Sequence, residues 1–536
     1  MKYNLFAACL VLLGIGACTD QHTTRQQLDG FIYCSEGSPG SFNPQMDTSG
    51  TTADATAHQI YDRLIEFDPH TNKLEPALAE SWAISSDGLT YTFQLRKKVS
   101  FHQTSYFTPS RYFNADDVIF SIDRWRLDDH PYHRVSGGVY PYFVSLGLTS
   151  IVASVERING YRIEIKLTRP DSSFLANLAT DFAVILSAEY AQQLLDDGHP
   201  EQIDQLPIGT GPFVFESYRK GRYIRYHKNE NYWHHEVSIN QLIFDITPAS
   251  STRLAKLLTG ECDAIAFPAY PDLNIIKSRA NLQVDEKPGL NVGFWAFNTQ
   301  VEPFNNPLVR KALAMAIDKD TLINTVYSDS AVRARSLLPP TSWAYQASAK
   351  DSSYNPVLAR ELLDEAGIPE GFTFDIWALP IERAYNPNAR KMAELIKGYL
   401  KQVGVNVNVV SYEWSTFRQR LREGKHDTVL IGWNADNADP DNFYRPLLSC
   451  AAIASGTNRS NWCNEEYDSL IDQALLYSEP EVRSLFYQMA NTILSDEMPL
   501  VPIAHAYRYQ AYQNRLKNFD INPFGGIKLG DVEKVR

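Results

Sequence analysis

Three carboxylates, Asp436, Asp439 and Asp441, crowd together directly after residues 428–433, a short apolar run rich in β-branched and aromatic side chains. The run reads as a strand and the acidic stretch as the polar loop at its carboxyl end. Carboxylates placed there can cap the next helix, hold a metal ion or receive the cationic end of a ligand. Pro440 after Asp439 also suits an Asx-type turn. Trp433 and Tyr444 flank the cluster, and Trp377 and Trp414 are further aromatic candidates for a pocket wall. Other chemistry finds less support. His234 and His235 are adjacent with no third ligand at useful spacing, which argues against zinc. A Gly-x-Ser-x-Gly elbow and a His-Glu-x-x-His helix are both missing, so an enzyme is disfavoured.

The elements that must position these residues have a regular order. Residues 372–377 read as a strand, 389–403 as a helix, 405–410 as a strand, the stretch near Phe417 as a short helix, and 428–433 as the next strand. This βαβαβ order predicts a parallel or mixed sheet with a cleft at the carboxyl ends of its strands. Residues 378–388 and 434–442 both emerge at such ends. Arg383 and Asp436 could therefore face one cleft, the first suited to a carboxylate and the second to an ammonium group.

The chain has 536 residues, 44% of them apolar, too many for one core, so two or three domains are expected. A net charge of −13 argues against gripping phosphate backbones and suits cationic or zwitterionic ligands. Lys2 followed by apolar residues 5–17 has the form of an export signal, too short for a bilayer span. Residues 15–18 also resemble the lipoprotein cleavage motif, with Cys18 as the acylated residue, although Gly16-Ala17 equally suits an ordinary signal peptidase. Residues 18–29 read as a disordered lead-in.

Cys9 lies in the signal core, and with Cys18 set aside four cysteines remain. An even set in an exported chain suggests two disulfides with three pairings open. Cys450 and Cys463 are near enough to close a small loop, which leaves Cys34 with Cys262, more than 200 residues away. One domain would then be assembled from discontinuous pieces.

Earlier elements follow the same logic. Residues 31–34 read as an opening strand, and the spacing of Ala57, Ile60, Tyr61 and Leu64 as a helix. Asn114 with Asp117 forms a helix-start signal, and Asn159-Gly160 a hairpin signal resting on tolerance of positive φ. Gly209-Thr210-Gly211-Pro212 lacks the Lys-Ser or Lys-Thr of a phosphate loop and reads as a tight turn. A helix at 250–258 ends at Gly260, before a strand at 262–267; Asn306-Pro307 and Asn355-Pro356 start two more helices.

With these motifs in hand, the chain resembles the periplasmic substrate-binding proteins of peptide ABC importers, solute-binding family 5. The resemblance rests on Leu78-Ala-Glu-Ser-Trp82, Pro207-Ile-Gly-Thr-Gly-Pro-Phe213, Leu257-Leu-Thr-Gly-Glu-Cys-Asp263 and Gly432-Trp-Asn-Ala-Asp-Asn-Ala-Asp-Pro-Asp-Asn-Phe443, in order over the mature chain. The stretches Phe107-Thr-Pro109, Ser336-Leu-Leu-Pro339 and Leu447-Leu-Ser-Cys450 are most similar to the Sap peptide-transport branch. The resemblance implies an α/β fold with α+β elements, the bilobed class II periplasmic-binding-protein fold of the large three-domain type. Its expected boundaries here are a signal peptide at 1–17, domain I at 30–74, 205–292 and 508–536, domain II at 75–204, and domain III at 293–507.

The resemblance also implies roles. Asp436 would bind a ligand α-amino group, and Arg383, in Pro380-Ile-Glu-Arg-Ala-Tyr-Asn-Pro387, a ligand carboxylate. Thr48, Tyr385, Gly432, Trp433 and Asn434 would add contacts, and both disulfides match the family pattern. Ala435 and Ala438 stand where the family often has Gly, which alters the backbone or narrows the pocket. The implied function is periplasmic capture of short peptides, including antimicrobial ones, for an inner-membrane permease driven by cytoplasmic ATPases. The receptor would act as a monomer, require no cofactor and bind no nucleic acid. Haem is the alternative transported ligand, and lipidation at Cys18 would tether the protein to a membrane.

Overall fold

In the computed structural model the described residues are 30–535, apart from 48, 69, 70, 72, 523 and 525. The export signal, Cys9, Cys18 and Thr48 lie outside them. One large sheet runs through the molecule. Its strands in chain order are β1 (Gly30–Ser35), β2 (Phe213–Arg219), β3 (Tyr223–Lys228), β4 (Gln241–Ile246), β5 (Ala264–Ile265), β6 (Leu282–Pro288), β7 (Asn291–Phe297), β8 (Ala331–Arg333), β9 (Thr373–Ala378), β10 (Asn406–Val410), β11 (Thr428–Asn434) and β12 (Leu500–Gln513). They lie in the order β10-β9-β11-β7-β12-β5-β1-β4-β3-β2, with β6 and β8 also paired to β12.

The strand β12 joins the two halves. Its first residues pair with β7, and Ala511 and Tyr512 pair with β5. In one half β9 lies parallel to both β10 and β11. A parallel pair needs a crossover, supplied here by helices Ala389–Gln402 and Trp414–Arg422. Asn388 caps the first, accepting from Lys391 N at 2.9 Å, and Glu413 caps the second, accepting from Ser415 N at 2.9 Å. Because β9 and β11 run the same way, the loops carrying Arg383 and Asp436 leave the sheet at one edge. Strand β7 is buried at all its positions, as befits a strand covered on both faces.

The other half carries β1 to β4 and a separate four-stranded antiparallel sheet, Ala79–Ile84, Thr90–Leu95, Arg162–Leu167 and Val152–Asn159 in that order. Helix Ala115–Arg126 packs on this sheet, started by a full capping box between Asn114 and Asp117. The two halves make two lobes with separate apolar cores. Cys34 in β1 is bonded to Cys262 beside β5, its neighbouring strand, with Cα atoms 5.9 Å apart, and Cys450 is bonded to Cys463 with Cα atoms 4.6 Å apart.

Three local readings change. The helix expected around Ala57 to Leu64 forms earlier, at Gly50–Thr56. Later carbonyls bond outward instead of along a helix: Ile60 O accepts from Gly211 N at 2.9 Å and Gln59 O from Phe213 N at 2.8 Å. Gly209 packs so closely there that a Cβ would lie 2.0 Å from Ile60 O, which explains the glycine-rich segment without a phosphate. The hairpin at Asn159-Gly160 forms, but its turn is Gly160-Tyr161 and neither Asn159 nor Gly160 has positive φ. The strand expected over 262–267 shortens to Ala264–Ile265, because only that part lies between β1 and β12.

Candidate functional site

Strand β11 delivers the acidic loop, and the three carboxylates part company there. Arg483 grips Asp439 with two hydrogen bonds of 2.8 and 2.7 Å, and the same carboxylate accepts from Asp441 N at 2.9 Å. Asp441 is ion-paired with Arg445 at 2.9 Å; burial, offset in part by Arg445, pushes it up to about 6. These two organise the loop. Asp436 differs: among the described residues its carboxylate has no hydrogen-bond donor and no cation. Burial alone pushes its pKa well above the usual carboxylate range.

Arg383, on the loop after β9, forms a buried ion pair with Glu36. Its guanidinium lies 5.4 Å from the Phe267 ring and 5.8 Å from the Trp414 ring. Its Nη2 is buried and bonded to nothing. Tyr385 is set by the Tyr327 hydroxyl, which donates to its carbonyl at 2.6 Å, and by close packing on two glycines. A Cβ at Gly432 would sit 2.3 Å from the Tyr385 ring, and one at Gly293 2.1 Å from its carbonyl oxygen. Gly432 therefore works by making room for Tyr385.

These residues meet. Asp436, Arg383, Tyr385, Gly432, Trp433 and Asn434 all line one cavity of about 150 Å³ between the lobes. Thr48 lies outside the described residues, while its neighbours Ser49 and Gly50 are on the cavity wall. Trp433 packs against both lobes' cores, its ring 5.9 Å from Tyr142. Trp414 lines the cavity too, whereas Trp377 is core, packed on Tyr412 and Phe417. A second cavity of about 280 Å³ adjoins it, sharing Asp54, Phe267, Arg383 and Arg508.

The lobes are drawn together around this space. Asp47 pairs with Arg418 at 2.6 Å, Arg169 with Asp472 at 2.7 Å, and Arg253 with Glu382 at 3.1 Å. Asn437 donates to Asn177 at 3.1 Å and Asn442 to the Tyr142 hydroxyl at 3.3 Å. Sequence reasoning missed Glu36, Asp54, Arg418, Arg459 and Arg508 as members of the site. Glu36 follows directly on strand β1, whereas Arg459 carries no local signal beyond its place inside the Cys450–Cys463 loop. No cluster of three metal-ligating side chains occurs among the described residues, and His235 is paired with Asp531 at 2.8 Å.

Comparison with known proteins agrees with this geometry. Residues 73–455 match the bacterial extracellular solute-binding proteins, family 5 middle. The chain belongs to this family, whose mixed α/β, bilobed members are solute receptors rather than enzymes. It is 42% identical to the dipeptide-binding protein of Escherichia coli (strain K12) over 98% of each chain. It is also 42% identical to the heme-binding protein A of Haemophilus influenzae, over 97% of this chain and 96% of that one. The crystal structure of a dipeptide-binding protein from Pseudoalteromonas sp. SM9913 in complex with Met-Leu superposes with a TM-score of 0.93, at 48% identity, covering 94% of this chain and 100% of that one.

Proposed function

We propose that this protein is the periplasmic substrate-binding component of an ABC peptide importer. It closes its two lobes around a short peptide and hands it to an inner-membrane permease powered by ATPases. The observation that carries the reading is Asp436, a half-buried carboxylate with no partner among the described residues, on the wall of an inter-lobe cavity. A peptide ammonium is the complement such a group lacks, and the unbonded Nη2 of Arg383 suits the peptide's other end. Titration calorimetry with free and N-acetylated dipeptides tests it: the free amine binds far more tightly, and equal affinities would reject the ammonium anchor.

Haem is the second reading, on the similarity to heme-binding protein A. Among the described residues the cavity wall carries no His, Met or Cys, and Tyr142 and Tyr385 are its side chains of a type that ligates haem iron; peptide ranks first on the unpartnered Asp436. Finer points belong to the same proposal: the class II, three-domain form with the boundaries given above, the Sap branch and its antimicrobial peptides, a monomeric receptor, contacts from Thr48, and lipidation at Cys18. Intact mass of the native membrane fraction tests the last of these; a soluble product starting beyond Cys18 without lipid mass would reject it.

A further inference from the structure

The cavity holds more positive charge than one peptide terminus needs. Arg383 is paired with Glu36 and Arg418 with Asp47. Arg508 faces Asp54 without an ion pair between them among the described residues. Arg459 lines the same wall, and no described residue forms an ion pair with it. Its Nη1 is fully buried and unbonded. Burial and the nearby guanidiniums of Arg422 and Arg418 lower its pKa to about 10, so it stays charged at neutral pH. The other acids of the wall are taken or distant: Asp181 is paired with His58 at 2.6 Å, and Asp436 has no cation within ion-pair distance.

A guanidinium removed from water without an anion is costly, and a ligand that brings the anion removes the cost. Apart from the facing Arg508 and Asp54, the wall presents one carboxylate that no cation faces, Asp436, and buried unbonded guanidinium nitrogens on both Arg383 and Arg459. Its complement has one ammonium and two carboxylates. We infer that Arg459 is a specificity residue that receives an acidic ligand side chain, so that the receptor favours short peptides containing Asp or Glu. This rests on the peptide reading above. It assigns the terminal carboxylate to Arg383 and the additional one to Arg459.

The test is calorimetry of the full mature chain with Ala-Glu, Ala-Gln, Glu-Ala and Gln-Ala, each pair differing by one charge at nearly constant shape. For the position that faces Arg459, the acidic peptide binds at least about tenfold more tightly than its amide, the scale of a desolvated charge pair. Arg459→Gln lowers the acidic peptide's affinity toward that of its amide and so removes the ratio; Arg459→Lys keeps part of it. Equal affinities within both pairs in the wild type would overturn the inference while leaving the peptide reading standing. A loss of affinity for acid and amide alike in Arg459→Gln would overturn it too, by giving Arg459 the peptide terminus or a purely structural role. Failure of all four peptides to bind would remove both readings. The wild-type ratio decides the matter even where a variant folds poorly.

Discussion

Arg383 and Glu36 stand 347 positions apart in the chain and form one ion pair, with side chains only 4% and 2% exposed. Arg383 comes from the loop after β9 and Glu36 from the loop after β1, so the pair spans the two lobes. Breaking a buried pair leaves a bare charge, a loss of about 3–5 kcal/mol. Glu36→Gln should therefore weaken the closed, ligand-bound state by that order, read as a higher Kd for an unmodified dipeptide. An unchanged Kd would show that the pair contributes nothing to closure.

Asp436→Asn keeps the side-chain size and removes the charge. Affinity for free-amine peptides should fall by about 2–5 kcal/mol, the scale for losing one partner of a buried charge pair. N-acetylated peptides should lose little. Asp439→Asn should act differently, lowering stability because it leaves the buried Arg483 without its carboxylate.

Proton release offers an independent reading of the same group. Burial raises the pKa of Asp436, and an arriving ammonium lowers it again, so binding expels a proton and strengthens as pH rises toward the raised value. Calorimetry in two buffers of unlike ionisation enthalpy should show this in the wild type and not in Asp436→Asn. Buffer-independent heats in the wild type would contradict it.

Gly432→Ala tests packing rather than charge. The new methyl would meet the Tyr385 ring at 2.3 Å and Val292 O at 2.5 Å. Overpacking of this kind costs about 1–3 kcal/mol. A lower melting temperature together with weaker peptide binding is the expected outcome, and a neutral variant would mean that Tyr385 moves freely.

Asp54 supplies a pH dependence of stability. Burial first, then the charge of Glu36, raises it to about 8. Its folded value lies above the unfolded one of about 3.9, so its contribution is full below that pH. The contribution is lost as pH rises through the window up to about 8. Denaturant titrations should show stability falling across this range, and Asp54→Asn should flatten the fall. A parallel pH profile for wild type and variant would exclude Asp54 as its source.

The chain's own pattern determined the elements that depend on neighbours in sequence. Asn114 with Asp117, Asn306-Pro307 and Asn355-Pro356 start helices where their capping chemistry places them, and Gly260 ends one at φ 75°. The alternation of β9, β10 and β11 with two helices also sufficed to bring the Arg383 and Asp436 loops to one sheet edge. Tertiary structure decided the rest. Residues 57–64 have helical apolar spacing, yet their carbonyls at 59 and 60 are taken by a segment 150 positions later, and a long-range bond overrides a weak local propensity. Of three similar aspartates, Asp441 is neutralised locally by Arg445 four residues on in its own helix, whereas only the fold brings Arg483 from a later helix to Asp439 and leaves Asp436 without a cation. Glu36 beside Arg383, and Arg459 with no ion-pair partner among the described residues, follow from where distant strands and the disulfide loop converge. Charge type is written in the sequence; its pairing and its dehydration belong to the packed lobes.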